Sequence, residues 1–170
     1  MQVINFLDPA IKRKKDLTNK NYQLIKNTKL PLPSEVEISE SGVCNRKCGF
    51  CPRSAPDFKE VKEFISPQLH TKLIDQLKDE NYRGVVRYSG FVEPLLDKNI
   101  FNLISETSSK LPKAKVEIVT NGDVLNKNRL RKLFKSGLTT LLISVYDGPE
   151  DAEKFDKMCL EEKLKPSQYV

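Results

Sequence analysis

Cys44, Cys48 and Cys51 stand in the run Ser41-Gly-Val-Cys-Asn-Arg-Lys-Cys-Gly-Phe-Cys-Pro52, a CxxxCxxC spacing that puts three thiols on one short loop. Thiols this close together are better placed to share a metal than to bridge distant segments. A structural zinc site closes its tetrahedron with four protein ligands, whereas a site that does chemistry keeps one position open. The one further cysteine, Cys159, and the one histidine, His70, both fall in segments with helical patterning. Cys159 reads as a half-buried core thiol and His70 as a packing or surface residue. A zinc-binding structural or interaction module would need one of them as a fourth ligand; an open-site cofactor would not.

The elements that must position this loop belong to one α/β domain. The 170 residues are 38% hydrophobic, enough to bury a sizeable core, and no run approaches the ~18 apolar residues of a membrane-spanning helix. The N-terminus lacks the apolar stretch of a signal peptide, and the clustered cysteines favour a reducing compartment, so a cytoplasmic protein is expected. Of the net charge of +6, +5 lies in residues 1–30, where Lys12, Arg13, Lys14, Lys15, Lys20, Lys26 and Lys29 oppose only Asp8 and Asp16. This segment reads as a basic helical extension over 1–31, with a polar helix around Ala10–Asn27. Such a charge run suits a solvated face, an acidic partner or a presequence. No aromatic interleaving or nucleic-acid motif accompanies it, so neither nucleic-acid nor membrane binding is expected.

From Leu32 onward, short apolar strands alternate with helical stretches, the pattern of βα units around a parallel sheet. Strands are predicted at Glu35–Ser39, Gly84–Tyr88, Lys115–Thr120 and Thr139–Val145. Helices are predicted at Ser66–Asp79, Lys98–Ser108, Asn126–Lys135 and Pro149–Glu162. The last six residues, from Lys165, look like the start of a fifth strand. Four strands do not close an eight-stranded barrel, which takes about 250 residues. They can form an open, curved sheet with helices on its outer face, and ligands of such sheets bind at the carboxyl ends of the strands.

Those ends carry polar groups. The cysteine loop follows the first strand. Gly90 and the Glu93-Pro94 pair follow the second, Thr120-Asn121-Gly122 the third, and Ser144-Val-Tyr-Asp147-Gly148 the fourth. Singly, Asn-Gly and Asp-Gly are ordinary turn signals and Glu93 an ordinary loop carboxylate.

As an ordered set, CxxxCxxC with Phe50 before its last cysteine, then Gly-x-x-Glu-Pro, Thr-Asn-Gly and Ser-Val-Tyr-Asp resemble the radical S-adenosylmethionine (radical SAM) superfamily over residues 33 to about 160. The resemblance implies a partial, TIM-like βα barrel with about four of the usual six βα units in residues 32–170, stopping as the fifth strand begins. It implies that Cys44, Cys48 and Cys51 ligate three irons of a 4Fe-4S cluster and that S-adenosyl-L-methionine chelates the fourth. Phe50 would pack near the adenine, Glu93 with the backbone at Gly90 would meet the methionyl amino group, and Ser144 with Asn121 would contact the ribose or carboxylate. The implied activity, of oxidoreductase or transferase type, is reductive cleavage of the cofactor to a 5′-deoxyadenosyl radical that abstracts hydrogen. A flavodoxin or ferredoxin is the implied electron donor.

The segments SGFVEPLL and ISVYDG look most like the SPASM-domain-containing branch, whose substrates are peptides, proteins or carbohydrates. A small-molecule or cofactor-biosynthesis enzyme is the alternative. The family's second-strand Gly-Gly-Glu-Pro is here Phe-Val-Glu-Pro, so Val92 replaces a glycine, and a positive φ there would be costly for a β-branched residue.

Overall fold

Alternation along the strands sets the two faces of the sheet. This computed structural model describes residues 22–170 together with Lys15, Asp16 and Asn19. Its strands are β1 (Glu35–Ile38), β2 (Val85–Tyr88), β3 (Lys115–Thr120) and β4 (Thr140–Ile143), all parallel, in the order β1-β2-β3-β4. The helices that follow them are α1 (Pro67–Asp79), α2 (Ile100–Lys110), α3 (Lys127–Lys135) and α4 (Pro149–Glu161). Successive side chains of a strand point to opposite faces, so Ile38, Val86, Tyr88, Val116, Ile118 and Leu141 fall together on one of them. They form a single core with Ile74 and Leu77 of α1, Ile100, Leu103 and Ile104 of α2, Leu130 and Leu133 of α3, and Phe155 of α4. Each such aliphatic side chain contributes about 1.5–3 kcal/mol when fully buried.

The opposite face is polar. Register places Glu37, Arg87, Glu117 and Thr140 in one row across the four strands. Arg87 Nη1 donates to Glu35 Oε1 at 2.5 Å and Nη2 to Glu117 Oε2 at 3.0 Å. This is the face that carries Val119, Asn121 and Ser144 further along the strands.

Local chemistry explains the element ends. Ser66 caps α1, its hydroxyl accepting from Leu69 N, with Pro67 at the first helical position. Asn126 caps α3 in the same way through Arg129 N. The second helix starts two residues later than expected because Asp97 Oδ1 accepts from Asn99 N, which holds 97–99 in a turn. Leu141 bridges Tyr169 in parallel, with Ile143 N donating to Val170 O, so the last residues do extend the sheet beyond β4.

Three expectations are corrected or bounded. Most of the helix expected over Ala10–Asn27 lies outside the described residues. Residues 22–27 within it are not helical: Leu24 bridges Pro31 in antiparallel fashion, and Asn27 turns the chain at φ +60°. Gln23 Nε2 there donates to the carbonyls of Glu80 and Asn81, satisfying the end of α1. Cys159 is fully rather than half buried, and burial pushes its thiol up to about 11. His70 is a packing residue with both ring nitrogens engaged, by Glu106 Oε2 and the Tyr88 hydroxyl, each at 2.8 Å.

Candidate metal and cofactor site

The chain leaves β1 through Glu40, a fully buried residue, and then must bend back tightly. Gly42 permits the bend: a Cβ there would stand 1.9 Å from the Val61 carbonyl oxygen, and Gly42 N donates to Glu63 O. Beyond it the cysteine loop is fastened by backbone and side chain. Glu93 N donates to Val43 O at 2.8 Å, and Arg53 Nη1 donates to the carbonyls of Gly42 and Phe91. Cys51 N donates to Cys48 O, and the Ser54 hydroxyl donates to the same carbonyl at 2.7 Å. All three cysteines are free and half-buried.

One cavity of about 260 Å³ lies between this loop and the strand ends. Cys44, Cys48, Cys51, Phe50, Gly90, Glu93, Asn121 and Ser144 all line it, so eight residues named from four separate motifs meet on one wall. Gly90 takes φ +121°, a conformation that suits glycine, while Val92 avoids the left-handed region and so carries no such strain. The phenyl ring of Phe50 is 76% exposed and lies 5.6 Å from the Tyr146 ring, centroid to centroid.

Glu93 is more deeply set than a rim carboxylate. Its Oε1 accepts from Leu95 N at 3.0 Å and from the Thr120 hydroxyl at 2.7 Å, and Oε2 accepts from Asn121 N at 2.7 Å. Burial raises its pKa, and these three bonds work against that rise. A carboxylate offers about four lone-pair positions, so one remains for a ligand donor. Glu93 therefore ties β2 to the end of β3 and presents what is left of its acceptor capacity to the cavity.

Sequence reasoning missed Arg46 and named Thr120 and Tyr146 only as parts of strand-end motifs, with no role; all three also line the cavity. Arg46 was hidden among the variable positions of CxxxCxxC, and its partners lie 77 and 101 residues away.

The donor set fits an iron–sulfur cluster. Neither Cys159 nor His70 lines the cavity; one is buried in α4 and the other is held by Glu106 and Tyr88. A zinc site closed by four protein ligands has no fourth cysteine or histidine in this cavity, whereas a cluster held by three thiolates, each on a separate iron, needs no fourth ligand from the protein.

Comparison with known proteins agrees with this donor set. The profile of the Radical SAM superfamily matches residues 38–166. The S-adenosyl-L-methionine-dependent 2-deoxy-scyllo-inosamine dehydrogenase of Niallia circulans is 33% identical over 115 residues, 68% of this chain and 46% of that protein. The GTP 3′,8-cyclase of Aquifex aeolicus (strain VF5) is 31% identical over 133 residues, 74% of this chain and 40% of that protein. Among solved structures, BtrN in complex with AdoMet and 2-DOIA superposes with a TM-score of 0.71 at 28% identity, covering 82% of this chain and 56% of that one. The AdoMet-bound anSMEcpe, at 16% identity and a TM-score of 0.61 over 79% of this chain and 41% of that one, shares the fold. The chain spans less than half the length of the curated relatives it matches. The chain belongs to the radical SAM superfamily of S-adenosylmethionine-dependent iron–sulfur enzymes.

Proposed function

We propose that Cys44, Cys48 and Cys51 hold three irons of a 4Fe-4S cluster and that S-adenosyl-L-methionine fills the cavity between them and the strand ends. The observation that carries this reading is the convergence of three free thiols, with no fourth cysteine or histidine, onto a cavity that also holds Glu93, Asn121 and Ser144. When bound, the cluster and cofactor together supply one-electron cleavage of the sulfonium to methionine and a 5′-deoxyadenosyl radical, which takes a hydrogen atom from substrate. Glu93 offers its remaining lone pair to the methionyl ammonium beside the Gly90 backbone. Asn121 and Ser144 serve the ribose or carboxylate, and the exposed Phe50 ring covers the adenine. Half-burial of the thiols keeps water from the metal, and solvent exposure is one of the factors that set a cluster's potential. A flavodoxin or ferredoxin supplies the electron.

For substrate, we infer a carbohydrate-type or other small polar molecule, with peptide or protein side chains as the wider class. Two observations support the small polar reading. The relatives act, by their names, on an inosamine and on GTP. The polar face of the sheet, with Glu37 exposed beside the paired Arg87, offers carboxylates that suit hydroxyl or ammonium groups. No helix among the described residues is long and apolar enough to cross a membrane, and labile iron–sulfur chemistry suits a reducing, cytoplasmic setting.

Anaerobic reconstitution of the full-length protein with iron and sulfide tests the donor assignment. About four irons per chain with iron–sulfur absorption are expected. A colourless protein that takes up one zinc through the same cysteines would overturn it.

A further inference from the structure

Arg46 sits between the first two cysteines and its backbone N–H donates to Cys44 Sγ at 3.5 Å, yet the partners of its side chain belong to neither the loop nor β1. Its Nε donates to Asp123 Oδ2 at 2.7 Å and Nη1 to Asp147 Oδ1 at 2.9 Å, while Nη2 bonds to both carboxylates. Asp123 lies just past the end of β3 and Asp147 just past the end of β4. The guanidinium also stands 5.3 Å over the centroid of Tyr146, the ring that packs against Phe50. Asn45 adds a parallel link, donating to Asp123 Oδ2 at 2.6 Å and accepting from Asn121 Nδ2 at 2.9 Å.

The chemistry of this arrangement is specific to arginine. Its planar fork presents five N–H donors and can pair bidentately with two carboxylates at once, which an ammonium cannot do. Bonding to Arg46 lowers the pKa of both aspartates, so both are ionised throughout the neutral range. The surrounding backbone has no regular structure from Gly42 to Lys47, so side-chain links set where Cys44 and Cys48 stand relative to β3 and β4, and Arg46, unlike Asn45, reaches both strand ends.

We propose that Arg46 is a positioning residue for the cofactor. By joining the cysteine loop to both strand ends, it fixes the spacing between the cluster thiolates and the Asn121 and Ser144 groups. A ligand that must touch the cluster and the strand ends together then binds without reordering the loop. The inference rests on the function proposed above. It differs from a rim ion pair that only adds stability, since such pairs are worth little and leave ligand affinity alone.

The test uses the full-length protein. In the cluster-free state, hydrogen exchange of residues 44–51 is expected to quicken about tenfold or more in R46A and in D123N/D147N, with R46K restoring less than half of the protection. In the reconstituted state, R46A is expected to keep its iron but to bind S-adenosylmethionine about tenfold or more weakly, read from the change in the electron paramagnetic resonance spectrum of the reduced cluster. Combining R46A with D123N/D147N should add no further loss. Unchanged exchange, or R46A affinity equal to wild type with only a lowered melting temperature, overturns the proposal. The exchange measurement needs no cluster, so unchanged exchange overturns the proposal even for a variant that loses iron. A wild-type protein that holds no cluster would instead overturn the function proposed above.

Discussion

The Thr120 hydroxyl donates to Oε1 of Glu93 at 2.7 Å, joining the end of β3 to the turn after β2 beneath the cavity. Both residues are about 1% exposed, so this bond sits where water cannot replace it. Thr120→Val removes this donor, together with the acceptor for Gly122 N at 3.1 Å, and keeps the shape. It should cost about 1–3 kcal/mol in urea denaturation and push the Glu93 carboxyl further above the glutamate range. A variant as stable as wild type would show that Oε1 finds another donor.

Glu40 and Glu106 give stability two opposed pH limbs. Burial pushes Glu40 up to about 8 against hydrogen bonds from its own backbone and the Ser41 hydroxyl, and its Oε2 has no partner. The folded state therefore holds a proton that the unfolded chain gives up near pH 4.5. Stability from this group is complete below that value and is lost as pH rises towards about 8, by up to about 1.4 kcal/mol per unit. Glu106 is partly desolvated, but bonds from Thr71, Lys110 and His70 outweigh this and hold it down near 2, so its contribution is present above 4.5 and lost below. Denaturation at pH 5 and pH 8 should show the alkaline loss in wild type, and E40Q should flatten it. E106Q should flatten the acid limb alone.

Gly90→Ala should destabilise the protein by about 1–3 kcal/mol, because φ +121° strains any L side chain and the new Cβ would lie 2.2 Å from Ser39 Oγ. Adding Ser39→Gly removes the close contact but not the backbone strain. Thermal melts of the two variants should therefore show partial recovery; complete recovery would assign the whole cost to the contact.

Tyr88→Phe should lower stability by about 1–3 kcal/mol without changing iron content. The buried hydroxyl donates to Leu103 O at 3.1 Å and meets Thr107 Oγ1 and His70 Nε2, all on the helical side of the sheet. Loss of iron in this variant would mean that the outer network reaches the cavity.

What the sequence revealed was what is local. The alternation in Lys-Val-Glu-Ile-Val-Thr marks β3 at its true bounds, whereas the apolar run Leu-Leu-Ile-Ser-Val carried the expected end of β4 to Val145, two residues past Ile143. The eight cavity residues could be named because the short motifs at the strand ends, taken in order, resemble the radical SAM superfamily. Arg46 could not, since it has meaning only through Asp123 and Asp147, and an ion pair over 77 or 101 residues leaves no local pattern. Glu40 was equally hidden, because a charged residue beside a loop gives no sign of complete burial. Residues 22–27 misled because the lysine-rich run they end suits a helix, while Pro31 and the carbonyls at the end of α1 draw the chain into an antiparallel turn.

The most direct measurement is 5′-deoxyadenosine formation by the full-length protein, reconstituted anaerobically with S-adenosylmethionine and a strong reductant. The wild type should form it, and replacement of Cys44, Cys48 and Cys51 by Ala should abolish it. Undiminished product from the alanine variant, or none from a wild type carrying its cluster, would contradict the account.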